Sequence, residues 1–558
     1  MARRLIIGAG LLLAACASSA TINATIAPPR RSAIPLEETL KALGALCGAE
    51  AASAAKANGV FKRVSGMGTG GFKVDTSNPE AQAWFDYGLQ LSHAFYHEDA
   101  KTAMKRASQA DPLCALCAWG EAWVLGPTLN YRLDNDQRVV ALAAADRART
   151  LVKPGDDKAL QLISAIQARY AEATTSTEPA FGQAMLVIAR RRPDDHEIAV
   201  LAAHALLIPV RAGDKTGLKA ALELLEGVLK TRPEDTAAIH YYIHAAEFDG
   251  RAEDAINYAD KLGRLAPAAS HLVHMPAHTF FHAGRYEDAA AVNANAIQAD
   301  VNWTSAGGDP RAPNAAASDP AMYYAHNLAF GLAGALMSGD ADLALKYADH
   351  AEKIWPGAVA SARRGNPVPR TYVALARYAP DRAMALPDLK GDAKFGIYRH
   401  YARAEVFLQR GDLLGARTEA RAIAGVEGAS KGPEAVIAAK VIAGRLAMVD
   451  GRPGAAVRLY GEAANLQDSK LEQYMDPPAW WYPVRRSVAA AYLKAGDNAR
   501  AEAAANKSLA IWKHDPLALW VLAKAEAGEG KIADSAAHLA EARRLWLGDF
   551  DSITIDGI

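Results

Sequence analysis

The chain has 558 residues, more than one compact core usually holds, so several domains or a repeat array are expected. Lys and Arg number 62 and Asp and Glu number 62, which excludes the basic excess of a nucleic-acid binder. Alanine is abundant and β-branched runs and alternating apolar–polar stretches are scarce, so the expected class is all-α.

Met1-Ala2-Arg3-Arg4 is a positive start, and Leu5 to Ala15 is an apolar run too short to span a bilayer. Residues 1–20 therefore read as an export signal. Leu13-Ala14-Ala15-Cys16 resembles a bacterial lipobox, which implies lipidation of Cys16. Ala17 after it implies the outer membrane, giving a periplasmic protein held to the membrane by a lipid anchor. Ordinary cleavage after Ala20 is the alternative. No later stretch is long and apolar enough for a transmembrane helix. Residues 21–75 read as partly helical, then loose, ending in the glycine-rich "SGMGTGGFKVDTSNP". Cys114 and Cys117 suit a disulfide at a helix start in an oxidising compartment, leaving Cys47 unpaired. Ala118 stands where a c-type haem site needs histidine.

Self-similarity begins at residue 76. With Ala81 as position 1, Trp84, Gly88, Ala100, Ala107 and Pro112 fall at 4, 8, 20, 27 and 32. This resembles the 34-residue tetratricopeptide pattern of two antiparallel helices per unit. Small residues at 8 and 20 let the paired helices cross closely, and proline at 32 ends the second helix. Thr236 and Ser270 open two further units 34 residues apart, as do Tyr482 and Pro516. The register weakens between Ala115 and Pro193. The implied fold is an all-α tetratricopeptide-type solenoid, a right-handed superhelix of helix pairs over 76–300 and 325–545. A Gly-, Pro- and Ala-rich insertion at 301–324 divides it, and 546–558 form a tail. Such arrays carry a concave surface made largely by first helices.

The stretch "HLVHMPAHTFFHAGRYEDA" sets His271, His274, His278 and His282 on one helical face. In the repeat register they take positions 2, 5, 9 and 13, which generally face the groove. His240 and His244 take 5 and 9 one unit earlier, and His326 lies near 2 of the unit after the insertion. His204 and His93 also fall on groove positions, while His97, His196, His350 and His514 read as surface or core. The expectation is a histidine-lined concave groove. His240, His244, His274 and His278 form two i, i+4 pairs on adjacent helices, a spacing that suits one metal site. Imidazole favours a transition metal such as Zn or Cu over Mg or Ca. His271, His282 and His326 would stand at its edge, and Glu247 could add a carboxylate. Such binding should weaken below about pH 6. "HMPAH" carries Pro276 where a metalloprotease needs its glutamate, so that chemistry is not expected. Among the aromatic and basic residues of "DPPAWWYPVRRS", Arg486 is the one expected to face the groove.

"DPLCALCAWGEAWVLGPTLNY", "HMPAHTFFHAGRYEDA", "MYYAHNLAF" and "WWYPVRRS" together resemble blocks of a group of secreted bacterial tetratricopeptide proteins. The resemblance implies fold and export, and one site holding His274, His278, His326, Asn327 and Arg485. Two functions remain open: a scaffold holding a protein or peptide in its groove, or a metal-binding protein or metal-dependent enzyme. No nucleophile motif or phosphate loop is visible, so a non-enzymatic binding protein is the first expectation.

Overall fold

A computed structural model describes residues 61–172, 177–305, 322–358, 367–389, 393–426, 432–471 and 477–558. Residues 1–20, where an export signal is expected, with Cys16, and also Cys47 lie outside the described residues. Within them the chain is helix and turn, with no strand. Successive helices pack as antiparallel pairs, from Pro79–His93 with His97–Ala110 to Pro516–Gly528 with Ile532–Leu545. The weak-register stretch is helical too, as Ala115–Leu125, Asn135–Leu151, Asp157–Tyr170 and Thr177–Arg190. The fold is an all-α helical-repeat solenoid.

Local chemistry explains the repeating unit. Three first helices start at aspartates: Asp195, Asp235 and Asp515 each accept from backbone N–H groups of the helix they open. These caps satisfy donors that have no partner inside the helix. Between the two helices of a pair the backbone turns through a left-handed residue. Gly250, Gly284, Gly339, Gly451 and Gly496 all do so, with φ between 70° and 78°. Glycine adopts that conformation without steric cost. Close crossings are equally local. A Cβ on Gly88 would stand 2.8 Å from Met104, and one on Gly444 would stand 2.4 Å from Tyr460.

The array folds back on itself at two places. At the first, residues 61–75, expected from the sequence to be loose, are packed. Met67 and Val74 are buried, and Phe72 packs edge-on against Phe85 at 5.1 Å. The Thr69 hydroxyl donates to Asp235 at 2.9 Å, and Thr69 N–H donates to the Thr236 hydroxyl at 2.7 Å. The segment is thus tied to a helix start more than 160 residues away, a contact no local pattern encodes. At the second, Trp512 packs edge-on against Phe281, and the Tyr286 hydroxyl donates to the Lys513 carbonyl at 3.0 Å. The expected insertion is shorter than its composition implied. Helix Tyr286–Ser305 runs into it from one side and Met322–Ser338 leaves it on the other. Residues 306–321 lie outside the described residues.

Candidate metal centre

Three stretches carry the histidine cluster. His240 and His244 lie on Thr236–Phe248. His271 and His274 lie on Ser270–His274, and His278 on Pro276–His282, with the break at Met275 just before Pro276. His326 comes from Met322–Ser338. The histidines assemble into two triads, His240/His244/His271 and His274/His278/His326, each with its ring nitrogens within 4.8 Å of one another. This corrects the single four-histidine site. Each i, i+4 pair belongs to its own triad, because packing brings a third imidazole to each pair: His271 to the first and His326 to the second. The triads adjoin, with His244 and His278 rings 5.7 Å apart.

Hydrogen bonds aim the rings. Nδ1 of His240 lies 2.7 Å from the His93 carbonyl, and Nδ1 of His274 lies 2.7 Å from the Asn293 carboxamide oxygen. Nδ1 of His278 lies 3.2 Å from the Glu247 carboxylate. Each of these oxygens can only accept, so the ring proton sits on Nδ1 and the Nε2 lone pair is presented inward. Those Nε2 atoms converge. His240 and His271 stand 3.1 Å apart, as do His274 and His278, and His274 and His326. Two imidazoles on one tetrahedral zinc, each about 2.0–2.1 Å from the ion, would stand about 3.3 Å apart. That spacing suits an ion shared between the rings. A carbonyl, carboxamide or carboxylate behind a ligating imidazole is the usual outer shell of a metal site.

The cluster is buried rather than displayed in an open groove. His240 and His274 are 0% exposed, and His244, His271 and His278 are buried with them. The turn of the first helix pair fills the face. Phe95 stacks on His271 at 4.8 Å and meets His240 edge-on at 4.7 Å. The Tyr96 hydroxyl accepts from the Ser270 N–H at 3.0 Å. Phe95 occupies position 15, where neighbouring units place glycine, and holds φ at 61°. A left-handed phenylalanine costs on the order of 1 kcal/mol or more and persists only where its surroundings enforce it. Phe330 stands against the second triad as Phe95 does against the first, 5.3 Å from His274 and 5.0 Å from His278.

Burial sets the protonation. It pushes His240 down to about 3, and it drives His244, His271 and His274 well below their ordinary value of 6.5, with neighbouring imidazoles adding to the shift. These rings are neutral at neutral pH, the form that binds metal. Burial pushes the Glu247 carboxyl up, but His278 and His282 outweigh it and hold it well below the usual carboxylate range. Glu247 thus presents a carboxylate beside His278 and His282 and 4.0 Å from His244.

Other candidates fall elsewhere. Arg486 does not face a groove: it is buried and donates to both carboxylate oxygens of Asp515, at 3.0 and 3.1 Å. That pair ties one helix unit to the cap of the next. Arg485 pairs with Asp468 and Asn465 on Pro453–Lys470 instead of joining the histidines. Asn327 is buried beside His326 in sequence, with no hydrogen-bond partner for its carboxamide among the described residues. His204 is buried and stacked on Tyr241 at 4.7 Å. Cys114 and Cys117 form a disulfide at the start of Ala115–Leu125. Asn293, Phe95 and Phe330 escaped sequence reasoning. Only Phe95 left a trace there, as the residue standing at a glycine position.

No family model matches the chain, and no curated protein matches it. Solved structures similar to it include the human IFIT1 dimer with m7Gppp-AAAA, at 11% identity and a TM-score of 0.30 over 85% of this chain and 91% of that one. The APC/C hetero-tetramer Cut9–Hcn1 aligns at 13% identity and 0.27 over 86% and 96%. The P58(IPK) TPR domain aligns at 14% identity and 0.22 over 83% and 98%. Likenesses this weak carry no argument about function. The helix pairs themselves define the class, a helical-repeat protein.

Proposed function

We propose that this is an exported helical-repeat protein that binds transition-metal ions in its interior, one at each histidine triad, with Zn or Cu the expected ions. The observation that carries the reading is the paired geometry. Three imidazoles with Nδ1 held by oxygen acceptors turn their Nε2 atoms toward their triad partners, inside a buried cluster. An all-imidazole donor set suits Zn, Cu, Fe or Ni and not Mg or Ca. Three protein ligands leave a further position open, as in zinc sites that bind an exchangeable ligand. Glu247, beside both triads, is placed to supply a carboxylate or to accept a proton from such a ligand. A peptide lying along the histidine face is disfavoured, because Phe95 and Tyr96 already fill it.

Metal content of protein purified without a histidine tag tests the proposal. Two ions per chain are expected, falling to one in His274→Ala/His278→Ala and to one in His240→Ala/His244→Ala, with helix content retained. Absence of Zn, Cu, Fe and Ni from the native protein, with no uptake in titration, sinks it. Export rests on the N-terminal pattern and gains support from the Cys114–Cys117 disulfide, which suits an oxidising compartment. Cys16→Ser should release the protein from membranes. Unchanged fractionation would leave ordinary cleavage as the reading.

A further inference from the structure

A second face, made by two first helices, is occupied by the chain itself. After Ile532–Leu545 the chain turns at Trp546, whose ring lies against Gly339, and Leu547 N–H donates to the Ser338 carbonyl at 2.8 Å. It then crosses back through largely exposed residues to a short turn, Ile555–Gly557. That turn lies against Pro433–Val449 and Val484–Lys494, first helices of consecutive pairs. The Arg445 guanidinium donates to the Gly557 carbonyl at 3.0 Å, and the Ser487 hydroxyl donates to the Ile558 main-chain oxygen at 2.7 Å. The Lys494 ammonium pairs with Asp556 at 2.5 Å. The Ile558 side chain is buried in the core. Glu405 fixes Arg445 from one side at 3.0 Å, and Tyr482 meets the Ser487 hydroxyl at 3.1 Å, so the reading groups are themselves held in place.

Two main-chain oxygens, one carboxylate and one branched aliphatic side chain are the elements by which a scaffold reads a short peptide segment: backbone contacts supply grip and side-chain pockets supply selectivity. The cationic Lys494 selects acidity two residues before that aliphatic anchor, while Arg445 holds the main chain between them. We propose that this face is a peptide-binding site which residues 555–558 occupy in cis. In trans it takes a segment of a partner protein with an acidic residue, a small residue and a branched aliphatic residue in succession. The tail competes for the site and sets the threshold for that partner.

The test uses the full chain carrying Asp556→Ala and Ile558→Ala, which loosens the tail without shortening it. A labelled peptide of residues 552–558, SITIDGI, is titrated by fluorescence anisotropy. The loosened chain should bind it saturably, and at least about tenfold tighter than the unaltered chain. Adding Lys494→Glu should cost about tenfold again, and a scrambled peptide should not bind. A loosened chain that keeps its helix content but takes up no peptide, or takes the scrambled one equally, overturns the proposal. If loosening disrupts the fold, hydrogen exchange on the unaltered chain decides. Exchange at 555–558 faster than in Val484–Lys494 supports a tail that leaves its seat, and protection equal to that helix overturns it. A concentration-dependent dimer broken by the loosening changes would show that the tail serves a second copy, which overturns the partner reading.

Discussion

The face around His240–His278 and the face around Arg445–Lys494 are both made by helix pairs, and the chain covers both with its own residues. They are covered differently. Over the histidines lies a tight helix-pair turn whose Phe95 and Tyr96 are fully buried, locked between two long helices. Over the other lies the end of an extended tail, gripped at its tip by Arg445, Ser487 and Lys494. The first cover can leave only if a helix pair unpacks, so that pocket suits an ion. The second is held by side chains of two helices without being part of either, so it is the cover proposed to exchange. Repeat architecture alone does not make a binding groove; what lies over the concave face decides what can enter it.

The largest expected effect separates the regions by pH. Burial lowers His240 and His97 to about 3 and holds His204, His244, His271 and His274 well below 6.5. The folded chain keeps these rings neutral, while the unfolded chain protonates them below 6.5. Their stabilisation is therefore complete above pH 6.5 and is lost as pH falls toward 3, at about 1.4 kcal/mol per pH unit per histidine. Metal-free protein should unfold cooperatively on acidification within that window, and bound metal should move the transition to lower pH. Thermal melts from pH 7 to 4 on stripped and loaded protein check this. A flat profile would mean that the histidines are solvated. If the rings stay neutral in the fold, loaded protein should also keep its metal below pH 6, contrary to the expectation from ordinary imidazole values.

Cover substitutions come next. Phe95→Ala should cost about 3–5 kcal/mol, as for a buried aromatic, less whatever backbone strain it relieves, and it should speed metal exchange by opening the first triad. Ile558→Ala should stay at or below about 2 kcal/mol, the low end for a buried aliphatic truncation, because the tail can detach. Equal costs at the two sites, in denaturant titrations, would erase the distinction between locked and exchangeable covers. The scaffold beneath gives a reference. Asp515→Ala should cost about 3–5 kcal/mol because it strands the buried Arg486 charge, whereas Arg485→Ala should change stability by less than about 1 kcal/mol, its ion pair lying nearer the surface. At the helix crossing, Gly88→Leu should cost about 1–3 kcal/mol, because the Met104 side chain it meets can bend away.

The helix pairs were legible in the sequence because their causes are local. An aspartate cap, a left-handed glycine at position 15 and small residues at the crossings each act within one 34-residue unit, so they repeat visibly. The shared face of His271, His274 and His278 was legible for the same reason, since helical spacing fixes which side chains align. Three things were decided only in three dimensions. His326 reaches His274 across 52 residues, which turns one expected site into two triads. Phe95 arrives from the first helix pair and covers a face that the register alone marks as open. Arg486 meets Asp515 and closes into the core, although its position predicted exposure. Local sequence sets where each side chain points on its own helix. Which distant segment arrives to meet it follows from how the pairs stack and close, a property of the summed packing that no single unit carries.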